Sequence, residues 1–159
     1  MIILRNYWIL IIFIIALIAI AIALIAENFF DMLPCEMCLY QRYTYYILII
    51  LSMIFLLLKK YNSQTFYLLA ELILIIGLII SLWHFGIENS WLQGPSGCSS
   101  SIANMSGISE LRQQILNAPI INCNEINWSV LGISITVYNA ILQFVLLSIN
   151  TIYLFKKNA

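Results

Sequence analysis

Long uncharged runs alternate with short polar interruptions along this chain. Tyr7 to Ala26 is 20 residues without a charge. Tyr43 to Leu58 is a second apolar run, Phe66 to Phe85 a third broken only by Glu71, and Ile133 to Phe155 a fourth. A bilayer core about 30 Å thick needs about 20 helical residues to cross it. Backbone groups in lipid must be paired within their own segment, and none of these runs alternates as a barrel strand does, so each is read as a helix. The expected spans are about 7–26, 40–58, 66–85 and 133–155, the second helix opening earlier, near Cys35. The fold class expected is an all-α membrane protein: one integral domain, 1–159, built as a four-transmembrane-helix bundle with outer loops at about 27–39 and 86–132. A cleaved signal peptide is the other reading of the first run, since Ala19-Ile20-Ala21 resembles a cleavage site. The run is too long for one and continues past that site.

Composition agrees. The chain is 63% apolar and 9% charged, against about 25% charged in a soluble domain. Net charge is zero, and no basic patch is present that would hold nucleic acid. The cations sort by face. Arg5, Lys59, Lys60, Lys156 and Lys157 flank one side, and only Arg42 and Arg112 fall on the other. The positive-inside rule makes both termini and the 59–65 loop cytoplasmic and puts both longer loops outside. Trp91 and Trp128 are expected near the outer headgroups, and Tyr7, Trp8 and Tyr153 near the inner ones. Glu71, about one turn inside the third span, reads as a plain interfacial carboxylate rather than an ion site.

The long loop is polar. Gly94-Pro95-Ser96-Gly97 forms a turn before Cys98. Ile108, Leu111 and Ile115 recur at helical spacing among polar residues, which predicts a short amphipathic helix on the membrane surface, ended by Pro119.

All four cysteines, Cys35, Cys38, Cys98 and Cys123, lie in the outer loops or at their margins. Three pairings are possible. Cys35 and Cys38 sit one helical turn apart, a distance that suits a disulfide. A helix N-terminus opened by Pro34 stabilises a thiolate, and Arg42, four residues from Cys38, adds a positive charge on the same face. Such a bridge closes almost no loop, so it is a poor staple and a good redox centre. Cys98 and Cys123 enclose a long loop and could be structural. A zinc site usually shows two close pairs or a Cys-His pattern. Here the second pair is far apart, and the only histidine, His84, is not spaced for one, so no metal is expected.

With these residues in view, the chain resembles the bacterial disulfide bond formation protein B (DsbB) family. The resemblance covers essentially the whole chain: four spans, Pro34-Cys35-x-x-Cys38 opening the second, Gln41-Arg42 after it, and a second cysteine pair in the outer loop. His84-Phe85-Gly86-Ile87-Glu88, Gly94-Pro95-Ser96-Gly97-Cys98 and Trp128-x-x-Leu131-Gly132 look like versions found in part of that family. The resemblance implies a protein-disulfide oxidoreductase of the bacterial inner membrane. It would reoxidise a periplasmic thioredoxin-like dithiol protein of the DsbA type and pass two electrons to ubiquinone or menaquinone. By the same resemblance, Cys98 is attacked by the partner, Cys123 then attacks Cys35, Cys38 emerges facing the quinone, and Arg42 holds a quinone oxygen. His84, level with Arg42, is a further candidate for quinone contact. Glu88 reads as a solvated loop carboxylate. Glu36, between the two cysteines, departs from the apolar residue common in the family and opposes a thiolate there. Two other readings remain: a vitamin K epoxide reductase-like quinone reductase, which places its close pair last, and a non-enzymatic membrane scaffold with structural disulfides. A relative serving one dedicated partner is not separable from the main reading on sequence.

Overall fold

The computed structural model of the chain describes residues 7–95, 123 and 128–156. The described residues form four long helices: α1 (Trp8–Phe29), α2 (Glu36–Leu57), α3 (Gln64–Glu88) and α4 (Ile135–Lys156). All four are long and apolar enough to cross a membrane. The protein is a four-span, multi-pass membrane protein. Cys98, Arg112 and the expected amphipathic helix at 108–115 lie outside the described residues.

The helices pack in chain order, α1 on α2, α2 on α3, and α3 most extensively on α4. No more than 33% of the apolar membrane-crossing stretch of any of them is buried. Leu10, Ile14, Leu17, Leu72, Ile79 and Phe144 face outward with the rest of the apolar surface. Water would penalise that surface, and lipid removes the penalty. The interior is correspondingly polar at several points. Ser52, Ser81, Gln143 and Asn150 are all fully buried. Asn139 donates to Ser81 Oγ at 2.8 Å and accepts from the Tyr45 hydroxyl at 2.5 Å. Side-chain bonds of this kind tie helices together where lipid tails offer no hydrophobic contrast. Gly77 lets α3 and α4 approach, because a Cβ there would meet the Gln143 side chain at 3.0 Å.

Two expectations are corrected. The fourth apolar run does not begin as helix. Ile133 and Ser134 form a strand, β2 (Ile133–Ser134), paired antiparallel with β1 (Ser129–Val130). The turn between them holds Leu131 at φ 54° and Gly132 at φ 79°. Two consecutive positive φ values are what a tight two-residue hairpin requires, and glycine supplies one of them without strain. Trp8 and Tyr153, at the start of α1 and near the end of α4, face the bundle. Both are buried, their rings pack edge to face at 5.2 Å, and the Trp8 indole donates to Asn150 Oδ1 at 3.0 Å. Glu71 is not a plain interfacial carboxylate. It accepts from Asn150 Nδ2 at 2.6 Å and from the Thr151 hydroxyl, so it clamps α3 to α4.

Candidate active site

The start of α2, the end of α3 and the start of α4 meet at one end of the bundle. Cys35 is the N-cap of α2, extended at φ −73°, ψ 167°. Its Sγ accepts the Cys38 backbone N–H at 3.3 Å. Sulfur here satisfies a helix-end donor, the task an Asp or Ser oxygen usually performs. Cys38 then lies one turn on, and the two sulfurs are 2.7 Å apart. Both are free thiols, Cys35 buried and Cys38 half-buried. Glu36, between the two cysteines, accepts from the Tyr40 hydroxyl at 2.8 Å in an exposed contact.

His84 reaches this pair from α3. Its Nε2 is 3.5 Å from Cys35 Sγ, a contact that spacing along the chain did not indicate. The ring is 2% exposed. Its other nitrogen, Nδ1, is 3.1 Å from the Gln41 carboxamide and 3.3 Å from Thr136 Oγ1. Thr136 and Ser134 each donate to Glu88 Oε1 at 2.8 Å. With the Thr136 proton committed to Glu88, the proton on His84 sits on Nδ1 and points at Thr136. The two ends of an amide are interchangeable by a flip, and a protonated Nδ1 selects the oxygen of Gln41. The lone pair on Nε2 then faces the Cys35 thiol.

Glu88 is a further correction. The sequence suggested a solvated loop, but α3 runs three residues past Phe85 and carries Glu88 inward, one turn after His84. Its side chain is 6% exposed. Its second oxygen, Oε2, is buried without a hydrogen-bond partner among the described residues.

These contacts act on the thiol in one direction. The hydrogen bond from Cys38 holds Cys35 well below the usual cysteine value, at about 5, burial opposes, and His84 and the Cys38 backbone N–H add to the lowering. The thiolate-stabilising groups therefore converge on Cys35, the capping residue.

A cavity of about 550 Å³ opens beside the dithiol. Ala19, Ile20, Ala23 and Leu142 give it apolar walls, and Cys38, Gln41, Arg42, His84 and Glu88 give it a polar end. Arg42 is not a free cation. Its Nη1 pairs with Glu27 Oε2 at 2.6 Å and its Nη2 donates to the Ala23 carbonyl at 3.5 Å. The charge and the cavity thus belong to α1 as well as α2.

Of the sequence candidates, Cys35, Cys38, Arg42 and His84 come together around this cavity. Cys123 is fully buried and shares a small core with Cys35, Met37 and Ile87. It is disulfide-bonded, and neither Cys35 nor Cys38 is its partner. Cys98 lies outside the described residues. Sequence reasoning missed Glu27, Thr136 and the role of Gln41. Glu27 had a signal, as the carboxylate ending the first apolar run opposite the one cation of that loop. Thr136 had none.

Comparison with known proteins agrees with this architecture. An uncharacterized protein of Rickettsia prowazekii (strain Madrid E) is 36% identical over 135 residues, 84% of this chain and 78% of the relative. No solved structure matches the chain. The family described as disulfide bond formation protein DsbB matches residues 5–153, nearly the whole length. The chain belongs to the DsbB family and is a thiol oxidoreductase of the disulfide-forming machinery.

Proposed function

We propose that this protein reoxidises a thioredoxin-fold dithiol partner and delivers the electrons to a membrane quinone, ubiquinone or menaquinone. The observation that carries the proposal is the placement of Cys38 and Arg42 on one apolar-walled cavity of about 550 Å³ directly beside a free Cys35–Cys38 dithiol. That volume lies within the ~300–1,000 Å³ typical of small-molecule sites, and an apolar wall with a few polar groups at one end is the usual composition. When bound, the quinone supplies a two-electron, two-proton acceptor.

The chain's own residues do the rest. The partner's thiolate attacks Cys98, forming a mixed disulfide and releasing Cys123. Cys123 attacks Cys35 of the oxidised close pair, and its burial in the same small core as Cys35 supports that step. Cys38 leaves as the thiolate on the cavity side. The partner's second thiolate displaces Cys98 and leaves the partner oxidised, and Cys98 then attacks Cys123, which re-forms the Cys98–Cys123 disulfide and releases Cys35. Arg42 donates to an oxygen at the polar end of the cavity and stabilises negative charge there. His84 Nε2 takes the proton of the Cys35 thiol, and the Thr136–Glu88 contacts hold the ring in the tautomer that allows it. The Cys35 thiolate then recloses the Cys35–Cys38 disulfide as two electrons leave.

In this reading the cysteines face the periplasm, both termini face the cytoplasm, and the membrane is the bacterial inner membrane. The test is anaerobic mixing of the purified, quinone-loaded protein with a reduced thioredoxin-fold donor. Quinone absorbance should fall in step with donor oxidation and stay constant in Cys38→Ser. Donor oxidation with no change in quinone absorbance would rule the proposal out.

A further inference from the structure

We infer that the reduced site is also a binding site for a thiophilic divalent cation of the zinc class, held by Cys35, Cys38 and His84. Their three ligand atoms already lie within 4.8 Å of one another. Tetrahedral zinc, with Zn–S of about 2.3 Å and Zn–N of about 2.0 Å, has an S···N edge of about 3.5 Å and an S···S edge of about 3.8 Å. Cys35 Sγ and His84 Nε2 are 3.5 Å apart, which matches the first edge. The sulfurs, at 2.7 Å, must separate by about 1 Å to match the second. Cys38 is half-buried and borders the cavity, so its side chain has room to swing.

A further feature belongs to metal sites. A ligating histidine normally has its other nitrogen fixed by a hydrogen bond, and His84 Nδ1 is held by Thr136 and Gln41. Glu88 borders these three atoms without belonging to the close set, and its side chain would have to turn to supply a fourth ligand. Glu88 Oε1 is 3.9 Å from His84 Nε2, and its companion Oε2 is buried without a partner among the described residues.

Binding displaces the Cys38 thiol proton and any proton that Cys35 and His84 share, and no electrons move. The bound pair cannot close its disulfide, so the cation acts as a reversible block on the reduced enzyme. The inference needs only that the close pair is a dithiol at some stage of turnover. It does not rest on the quinone reading.

The experiment uses the full-length protein in detergent, without quinone or partner, reduced and then freed of reductant under anaerobic conditions. Co2+ alone is titrated in. One equivalent should bind with thiolate-to-metal charge transfer and the ligand-field bands of a tetrahedral ion. The oxidised protein should show neither. His84→Ala should weaken binding by at least about tenfold. Because that variant could disturb packing, the wild-type protein loaded with Zn2+ alone is also read by X-ray absorption, which should show two sulfurs and an imidazole nitrogen. A sulfur-only shell, or Co2+ binding equally to oxidised and reduced protein, overturns the inference. Quinone reduction in metal-free buffer proceeds under either result, so the two readings fail separately.

Discussion

Arg42 on α2 and Glu27 at the end of α1 form an ion pair 2.6 Å long at the edge of the cavity. The guanidinium is 14% exposed and the carboxylate 31%. The pair lies between the exposed regime, where ion pairs contribute little, and the buried one, where loss of one partner is severe. Glu27→Gln is expected to lower stability by about 1–2 kcal/mol, read from chemical unfolding in detergent. Arg42→Gln should act chiefly on the quinone side, raising the KM for quinone while the mixed disulfide with the partner still forms. Equal loss of both would show that Arg42 serves packing alone.

The cysteine roles separate by trapping. Cys98→Ser should abolish the mixed disulfide with the partner, and Cys123→Ser should accumulate it at Cys98. Cys38→Ser should keep partner attack and lose quinone reduction. Peptide mapping of the trapped complex checks this, and a trapped bond at Cys35 would reverse the assignment.

The lowered Cys35 value sets a pH window. Its folded value, about 5, lies below the ordinary thiol value of 9.0. The thiolate therefore contributes stability to the reduced protein that is fully present above pH about 9 and is lost as pH falls through about 5. Over that window the reduced form is favoured, which makes the pair a stronger oxidant than an ordinary dithiol. Thiolate absorbance of the reduced protein, measured with a chelator present, should disappear with a midpoint near 5. His84→Phe should move that midpoint upward.

Gly77 should tolerate nothing larger than a small side chain. A Cβ there already meets Gln143 at 3.0 Å, so Gly77→Leu would force α3 and α4 apart. A loss of about 1–3 kcal/mol is expected by thermal unfolding.

Orientation is testable in intact cells. An impermeant thiol reagent applied after reduction should label Cys38, and a cysteine placed at Lys60 should stay protected. The reverse pattern would place the dithiol on the cytoplasmic side.

What could be read without coordinates follows from short-range chemistry. Four apolar runs of membrane-crossing length require helices, because an unpaired backbone cannot sit in lipid. Pro34 followed by Cys35-x-x-Cys38 marks a helix start, and α2 does begin at Glu36 with Cys35 as its cap. The pairing of Cys38 with Arg42 on one face follows from helical period alone. Contacts between helices could not be read this way. His84 is far from Cys35 in the chain, and only the packing of α2 against α3 brings Nε2 to 3.5 Å from the sulfur. Whether Glu88 is solvated or buried depended on how far α3 continues beyond Phe85, which propensity does not determine. Trp8 faces inward with Asn150 on α4 as the partner of its indole, and the Tyr153 ring packs on it. In each case the pattern specified the element, and the neighbouring helix, whose identity no local period encodes, decided what the side chain touches.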